Sequence, residues 1–140
     1  MNRNQKRKPS SPSFQNLLSK WSKTVRERDG NRCVVCGATK YLNAHHILPK
    51  KYFRDLALEL NCGISLCPRH HIFNGFSAHM NSIWFSHWLL KNRPDQYQWC
   101  IEHMKRKELE QFGDVGMDNV DIESDIGNES ESEMDCPSIM

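Results

Sequence analysis

The chain has 140 residues, 38% of them hydrophobic, and a formal net charge of +2 at pH 7. This length predicts one domain with room for tails, and no apolar run approaches the roughly 18 residues that span a bilayer. The N-terminus is basic without an apolar segment behind it, so we expect an intracellular, cytoplasmic protein with no membrane partner. Without a secretory signal, the six cysteines are expected to be reduced and metal-binding rather than paired as disulfides.

Charge is divided sharply along the chain. All 19 Lys and Arg residues lie at or before Lys107, whereas nine of the 17 acidic residues lie between Asp114 and Asp135. Residues 1–113 therefore contain 19 basic and 8 acidic residues, a net charge of +11. A basic body of this size favours binding to a phosphate backbone; a solvated basic surface is the plainer alternative.

The N-terminal part of the chain predicts a basic arm and then a helix. Residues 1–12 mix charge with Pro and Ser and are predicted to be disordered. Apolar residues from Phe14 to Val25 recur at helical spacing, with Ser13 as the N-cap and Asp29-Gly30 as the stop. The basic side chains of this helix are left for solvent or phosphates: Lys20, Lys23, Arg26 and Arg28.

Four ligands for a soft metal ion follow in two tight turns. Cys33 and Cys36 have the C-x-x-C spacing at which two thiolates converge on one ion, and Cys67 and His70 repeat that spacing. The set matches a closed tetrahedral site for structural Zn²⁺, because thiolate-rich sets select zinc over hard cations. Unligated buried cysteines are the alternative. Three further cysteines have no partner at this spacing: Cys62, Cys100 and Cys136.

Two short strands are predicted between the two ligand pairs. The first runs through residues 41–47 and stops at Pro49, and the second follows a turn at residues 61–63. Residues 50–60 are predicted to form a basic loop or short helix between them.

Helices dominate the remainder of the predicted domain. Pro68 suits the first position of a short helix, which Asn74-Gly75 ends. Aromatic residues indicate two longer helices, at roughly 81–92 and 97–112, which we expect to cap a small metal-stabilised core. The predicted domain therefore covers residues 13–112, and residues 113–140 are predicted to be a disordered acidic tail.

Histidines near the zinc ligands suggest a second site. If zinc takes His70, then His45, His46 and His71 remain. Adjacent residues on a strand point to opposite faces, so His45 and His46 cannot both bind one ion in the same manner. One of the two can bind metal while its neighbour accepts a proton.

Three segments in sequence order resemble the zinc-ribbon form of the HNH endonuclease family, over about residues 21–75. They are Arg28-Asp29-Gly30-Asn31-Arg32-Cys33-x-x-Cys36-Gly37, Ala44-His45-His46-Ile47-x-Pro49 and Asn61-x-Gly63-Ile64-x-Leu66-Cys67-x-x-His70-His71. The resemblance implies a small, zinc-stabilised α+β fold with a ββα-metal (His-Me finger) core. It also implies hydrolysis of DNA phosphodiesters to a 5′-phosphate and a 3′-hydroxyl.

The same resemblance assigns roles to single residues. His46 is implied as the general base, and His45 and His71 as ligands of a catalytic divalent cation, which is Mg²⁺, Mn²⁺, Ni²⁺ or Zn²⁺. The family's central Asn steadies the loop and the base, and its position falls here on Cys62, with Asn61 one residue earlier. Either the turn has one extra residue, so that Asn61 acts, or the Asn role is lost.

The third ligand of the catalytic ion, commonly a His or Asn one helical turn after the first, is open between two residues. Gly75 stands four residues after His71 and has no side chain. Asn74 is one candidate. His79, which follows the break, is favoured as the better donor to a divalent transition metal.

Four basic residues beside the site are expected to position DNA phosphates without reading bases: Lys50, Lys51, Arg54 and Arg69. The leading hypothesis is a metal-dependent HNH nuclease that cuts DNA. Its rivals are a non-catalytic zinc-ribbon nucleic-acid-binding protein and a protein-interaction module. DNA sequence specificity, oligomeric state and biological role are open, the last among phage packaging, mobile-element homing, restriction and repair.

Overall fold

A computed structural model describes residues 11–113. Residues 1–10 and 114–140, which carry nearly all of the predicted basic arm and acidic tail, lie outside this range, so those two assignments stay predictions. The chain divides into two units, Met1–Arg106 and Lys107–Met140. The sheet and the candidate sites described below belong to the first unit. Within the described part, no helix combines the length and apolar character needed to cross a membrane.

The first helix, α1 (Phe14–Arg28), begins at the predicted cap. The Ser13 side chain accepts a hydrogen bond from the backbone N–H of Asn16 at 3.2 Å, which satisfies one of the donors left free at a helix start. Asp29 caps the other end, and Gly30 follows with a φ of +78°. Glycine adopts this left-handed conformation without steric cost.

A two-stranded antiparallel sheet lies against this helix. It pairs β1 (Asn43–His46) with β2 (Gly63–Leu66), so that His45 faces Ile64 and His46 faces Gly63 along the ladder. β1 begins later than predicted because Tyr41 has a φ of +57°, which no extended strand contains.

Close contact between α1 and β2 depends on Gly63. A Cβ atom there would overlap the Trp21 ring and lie 2.7 Å from Cγ2 of Val25. With glycine at this position, Leu18, Trp21 and Val25 bury their side chains under the sheet, and burial of each such apolar side chain contributes about 1.5–3 kcal/mol. The indole Nε1 of Trp21 also donates to the backbone oxygen of Glu59 at 2.9 Å.

Three further helices lie within residues 11–113: α2 (Pro68–His71), α3 (Ser82–Asn92) and α4 (Pro94–Phe112). Pro68 occupies the start of α2 as predicted, and the Asn81 side chain caps α3 by accepting from the N–H of Trp84 at 2.9 Å. The linker between the strands contains two 3₁₀ turns, Arg54–Leu56 and Leu60–Cys62.

The predicted aromatic cap is present, and the small α+β class is confirmed. One buried cluster joins the sheet to α3, with aromatic residues of α3 and α4 packed against it: Ile64, Leu66, Phe85 and Leu89, with Trp84, Trp88 and Tyr97. A second buried cluster lies between the linker and α4: Leu48, Leu56, Cys62 and Cys100.

Candidate metal centres

Cys33, Cys36, Cys67 and His70 come together as the sequence predicts, with one ligand atom of each within 4.8 Å of the others. The first turn closes through a hydrogen bond from the N–H of Gly37 to the Cys33 oxygen at 2.8 Å, and Gly37 has a φ of +77°. Cys67 and His70 are brought together by the single turn of α2. The four residues could hold a metal ion such as zinc.

The spacing of these donor atoms fits a tetrahedral zinc ion. Zn–S bonds of about 2.3 Å and Zn–N bonds of about 2.0–2.1 Å separate two sulfurs by about 3.8 Å, and a sulfur from a nitrogen by about 3.5 Å. The sulfurs of Cys36 and Cys67 are 3.7 Å apart. Nδ1 of His70 is 3.7 Å from the Cys33 sulfur and 3.4 Å from the Cys67 sulfur.

The surroundings of Cys33 also favour a bound cation. Burial alone would raise the pKa of the Cys33 thiol, but hydrogen bonds from the backbone of Cys67, Cys36 and Val35 outweigh burial and lower it. The thiolate is the form that binds metal.

The two buried cysteines outside this group behave differently. Burial raises the pKa of Cys62, and burial together with Cys62 raises the pKa of Cys100 to about 12. Both therefore stay protonated thiols in the second buried cluster, and Cys136 lies outside the described residues.

His45, His71 and His79 form a second group of ligands within 4.8 Å of one another. The Nε2 atoms of His71 and His79 are 3.1 Å apart, and the ring centroid of His45 lies 5.2 Å from that of His71 and 4.8 Å from that of His79. Phe85 packs edge-on against the His45 ring at 5.3 Å. Within residues 11–113, this group and the Cys/His group are the two sets of three or more donors close enough to share an ion.

Main-chain hydrogen bonds hold His79 beside His71. The N–H of Ala78 donates to the His70 oxygen at 2.8 Å, and the N–H of His79 donates to the His71 oxygen at 3.1 Å. These bonds close the base of a loop at residues 72–78. The side-chain oxygen of Asn74 accepts from the N–H of Phe76 at 2.9 Å, so Asn74 is engaged within the loop while His79 joins the cluster.

Two of these imidazoles are held in the neutral, metal-binding form. Burial, together with the nearby His71 and His79 rings, lowers the pKa of His45 to about 3. Burial and His79 also lower the pKa of His71. Neutral imidazole is the form that donates a lone pair to a metal ion.

His46 lies on the other face of β1 and is held by different contacts. Its ring stacks on Trp21, with centroids 4.0 Å apart and planes 13° from parallel. Its Nε2 is 2.9 Å from the backbone oxygen of Ala57. A carbonyl can only accept, so Nε2 carries the proton in the neutral ring and Nδ1 keeps the free lone pair.

The surroundings of His46 favour the neutral form of its ring. Burial lowers its pKa; the Ala57 hydrogen bond opposes this, and the positive charge of Lys50 adds to the lowering. Helical spacing predicts that Trp21 is an apolar residue of α1, but no motif predicts that Trp21 or Ala57 contacts His46.

One cavity joins the two faces of β1. It has a volume of about 540 Å³, and its lining includes all four histidines of the candidate catalytic site together with two lysines: His45, His46, His71, His79, Lys50 and Lys51. A neighbouring groove of about 380 Å³ shares Ala44, His46 and Lys50 with it and continues along α1.

Asn61 and Cys62 both lie away from this cavity. The Asn61 side chain is exposed and lines a different depression with Arg28 and Arg93. Cys62 is buried, and its thiol donates to the backbone oxygen of Leu48 at 3.7 Å. It is therefore Cys62 that ties β2 to the chain just after His46. The catalytic role predicted for Asn61 stays a prediction.

The four basic residues predicted to bind DNA differ in position. Lys50 and Lys51 line the histidine cavity. Arg54 instead lies over the Phe14 ring, with its guanidinium carbon 4.1 Å from the ring centroid, and Arg69 is exposed on α2.

Arg28 is not left for solvent or phosphates, which corrects one expectation. It donates to the backbone oxygens of Leu60 at 2.6 Å and Gly63 at 2.7 Å, and it forms an ion pair with Asp29 at 2.9 Å. Arg93 from the α3–α4 junction contacts the same carboxylate at 2.9 Å. Arg28 therefore binds α1 to β2, and its guanidinium is engaged within the fold.

Comparison with protein-family profiles, with curated proteins and with solved structures finds no match to this chain.

Proposed function

We propose that this chain is a metal-dependent DNA endonuclease of the HNH type, with β1, β2 and α2 as its ββα-metal core. One observation carries the proposal: three imidazoles converge on a point beside a fourth imidazole that other contacts hold apart. If these histidines served only packing, separate contacts that hold His46 against a backbone carbonyl and an aromatic ring would not be required.

The two ligand groups take different ions in this proposal. The Cys/His group holds a structural Zn²⁺, because its four donors leave no position for water. His45, His71 and His79 supply three donors and open onto a cavity. Three donors with an open position are typical of catalytic metal sites.

His46 is the general base. Its Nδ1 takes a proton from a water molecule, the water oxygen bonds to phosphorus, and the P–O3′ bond breaks with the proton passing to the leaving oxygen. Trp21 and Ala57 fix the ring so that Nδ1 is the nitrogen available for this step. A divalent cation, when bound, neutralises charge on the phosphate and on the leaving oxygen.

DNA is the substrate that the charges favour. Lys50 and Lys51 lie in the lining of the histidine cavity, and Ser19, Ser22 and Arg26 extend the polar surface along the adjoining groove. The described residues belong to the part of the chain that carries +11, and such a charge attracts a phosphate backbone.

A plasmid assay tests the proposal. Purified, zinc-loaded protein is incubated with supercoiled plasmid and Mg²⁺, Mn²⁺ or Ni²⁺, while DNA binding and zinc content are measured on the same samples. We expect nicked or linear product only when the added ion is present. Binding without cleavage under every ion would support the zinc-ribbon binder instead, and neither binding nor cleavage would leave the protein-interaction module.

A further inference from the structure

The 72–78 loop exposes large apolar side chains beside the histidine cluster. Phe73 is 79% exposed and Phe76 is 61% exposed. Met80 and Ile83, just beyond the loop, are also exposed. Several large apolar side chains are thus exposed between Phe73 and Ile83, and grouped exposed apolar side chains can mark an interaction surface.

Hydrogen bonds and one buried side chain fix the shape of this loop. Its base is closed by the two hydrogen bonds from Ala78 and His79, and its interior by the Asn74 side chain on the N–H of Phe76. Ser77 is fully buried beneath it. Phe76 packs edge-on against Trp84 with ring centroids 6.1 Å apart, whereas Phe73 has no ring partner within residues 11–113.

Charge around the loop favours nucleic acid. The chain has no Asp or Glu between Leu60 and Pro94, so no carboxylate on this stretch repels a phosphate. The exposed Arg69 lies on α2, directly before the loop. An aromatic face without nearby negative charge is what a stacked nucleobase requires.

Distance ties Phe73 to the proposed cleavage site. It is two residues from His71, so their Cα atoms are at most about 7 Å apart. Bases of one strand follow each other at about 3.4 Å along a duplex. The spacing of neighbouring nucleotides is therefore comparable with the distance between His71 and Phe73 along the chain.

We infer that Phe73 stacks on a base of the bound strand next to the scissile phosphate, and that the preferred substrate is DNA with unpaired bases there. A paired, stacked base offers no free face to this ring, whereas a single-stranded base does. The inference rests on the proposed nuclease function and adds a substrate class to it.

Three substitutions separate stacking from simple apolar contact. Phe73→Ala removes the ring, Phe73→Leu keeps apolar bulk without an aromatic face, and Phe73→Trp keeps the face. Tyr41→Ala is the matched control, because Tyr41 is 83% exposed and does not line the histidine cavity. Zinc content and melting temperature check that each variant is folded.

Cleavage is compared on a single-stranded oligonucleotide and on the duplex of the same sequence. We expect the parent to prefer the single strand, and Phe73→Ala and Phe73→Leu to lose on the order of 10-fold on it while changing little on the duplex. Phe73→Trp and Tyr41→Ala should match the parent. Equal rates on the two substrates, or equal losses on both, would overturn the inference while the nuclease proposal stands.

Binding gives a second readout that does not depend on cleavage. Single-stranded oligonucleotides with 2-aminopurine at successive positions are bound to the parent chain and to each variant. Stacking on Phe73 should change the fluorescence at one position, and Phe73→Ala should abolish that change. If the parent cuts no DNA, the nuclease proposal fails. A fluorescence change that persists in Phe73→Ala would show, independently of cleavage, that Phe73 does not stack on the base.

Discussion

Neighbouring histidines on β1 are held by different kinds of contact, and this difference separates their proposed roles. His45 is buried against His71, His79 and Phe85. His46 is only partly buried, with one nitrogen on a carbonyl and one face on an indole. A metal ligand must keep the lone pair of its ring nitrogen on the ion, whereas a general base must accept a proton and release it again.

Replacing each histidine with alanine should therefore give two different losses. His46→Ala should lower the rate of DNA cleavage by about 10²–10⁴, the usual contribution of a positioned general base. His45→Ala should also abolish cleavage, but by weakening the catalytic ion, so excess Mn²⁺ or Ni²⁺ should restore part of the rate. Added metal should not restore His46→Ala.

The measurement is a titration of both variants with metal, with DNA binding followed in parallel. His87→Ala is the control, since His87 is exposed on α3 and lies outside the cavity lining. Binding should survive in all three variants, because affinity comes mainly from Lys and Arg. Rescue of His46→Ala by metal, with His45→Ala still inactive, would mean that the two roles are exchanged.

Asp29 is the residue on which the fold's main ionic network depends. Its side chain is 1% exposed and contacts Arg28 and Arg93, and one carboxylate oxygen accepts from the N–H of Ser65 at 2.8 Å. Burial alone would raise the pKa of Asp29, but the hydrogen bonds from Arg28, Arg93 and Ser65 outweigh burial and lower it below 3.8. The charged carboxylate thus stabilises the folded state.

Asp29→Asn should reduce the free energy of unfolding by about 2 kcal/mol at neutral pH, since hydrogen bonds to a charged group are lost. A depressed folded-state pKa contributes stability above the unfolded value of 3.8, and this stability is lost as pH falls through the folded pKa. The difference between parent and variant should therefore be constant above about pH 5 and shrink below about pH 4. Denaturant unfolding of both proteins in excess zinc measures it; a difference that grows in acid contradicts this role.

At the scale of elements, the Cys/His group joins the first turn after α1 to the start of α2. Cys36→Ser should remove zinc and cooperative melting together, because a structural zinc supplies on the order of 10 kcal/mol in small metal domains. Cys100→Ser makes the same chemical change at a buried thiol outside the group and should keep stoichiometric zinc. Full zinc content in Cys36→Ser, with an unchanged melting temperature, would show that the four residues are not the ligands.

A second prediction concerns the packing of α1 on β2. Gly63→Ala should cost about 1–3 kcal/mol through overpacking against Trp21 and Val25, and it should lower cleavage because Trp21 orients His46. Gly75→Ala is the control, since a Cβ there meets nothing within 4 Å. Thermal melting and tryptophan fluorescence measure the effect. Equal melting temperatures for the two variants would contradict the close contact.

For the chain as a whole, local sequence signals predicted where three of the helices begin. Ser13, Pro68 and the aromatic spacing after Asn81 gave the starts of α1, α2 and α3, because caps and helical periodicity act within a few residues. The Cys/His group was also predictable, since ligand chemistry restricts which residue types can meet, whereas His45 and His71 were expected as ligands only through the family resemblance. The ββα-metal assignment and the nuclease activity remain predictions.

Contacts between distant residues were beyond the sequence pattern. Asp29 and Arg93 are far apart in the chain, so neither helix periodicity nor a motif predicts that they meet. The bond from Cys62 to Leu48 depends in the same way on how the strands pair. The sequence pattern also does not predict that Phe73 is exposed, because an apolar residue in a short segment is ordinarily expected in the core.

Residues 114–140 carry a formal net charge of −9. Removing them raises the formal net charge from +2 to +11, so the long-range attraction between the protein and DNA should strengthen. A chain cut after Gly113 should bind DNA more tightly than the full chain at low salt, and the difference should shrink as salt screens the charges.

The matched control is a full-length chain in which the nine acidic residues from Asp114 to Asp135 are replaced by their amides. It keeps the length and removes the charge, so it should bind as the shortened chain does. Fluorescence anisotropy at several salt concentrations measures the three affinities. Equal affinities for the full and shortened chains at low salt would contradict this prediction, because nine carboxylates that oppose DNA binding could not be removed without effect.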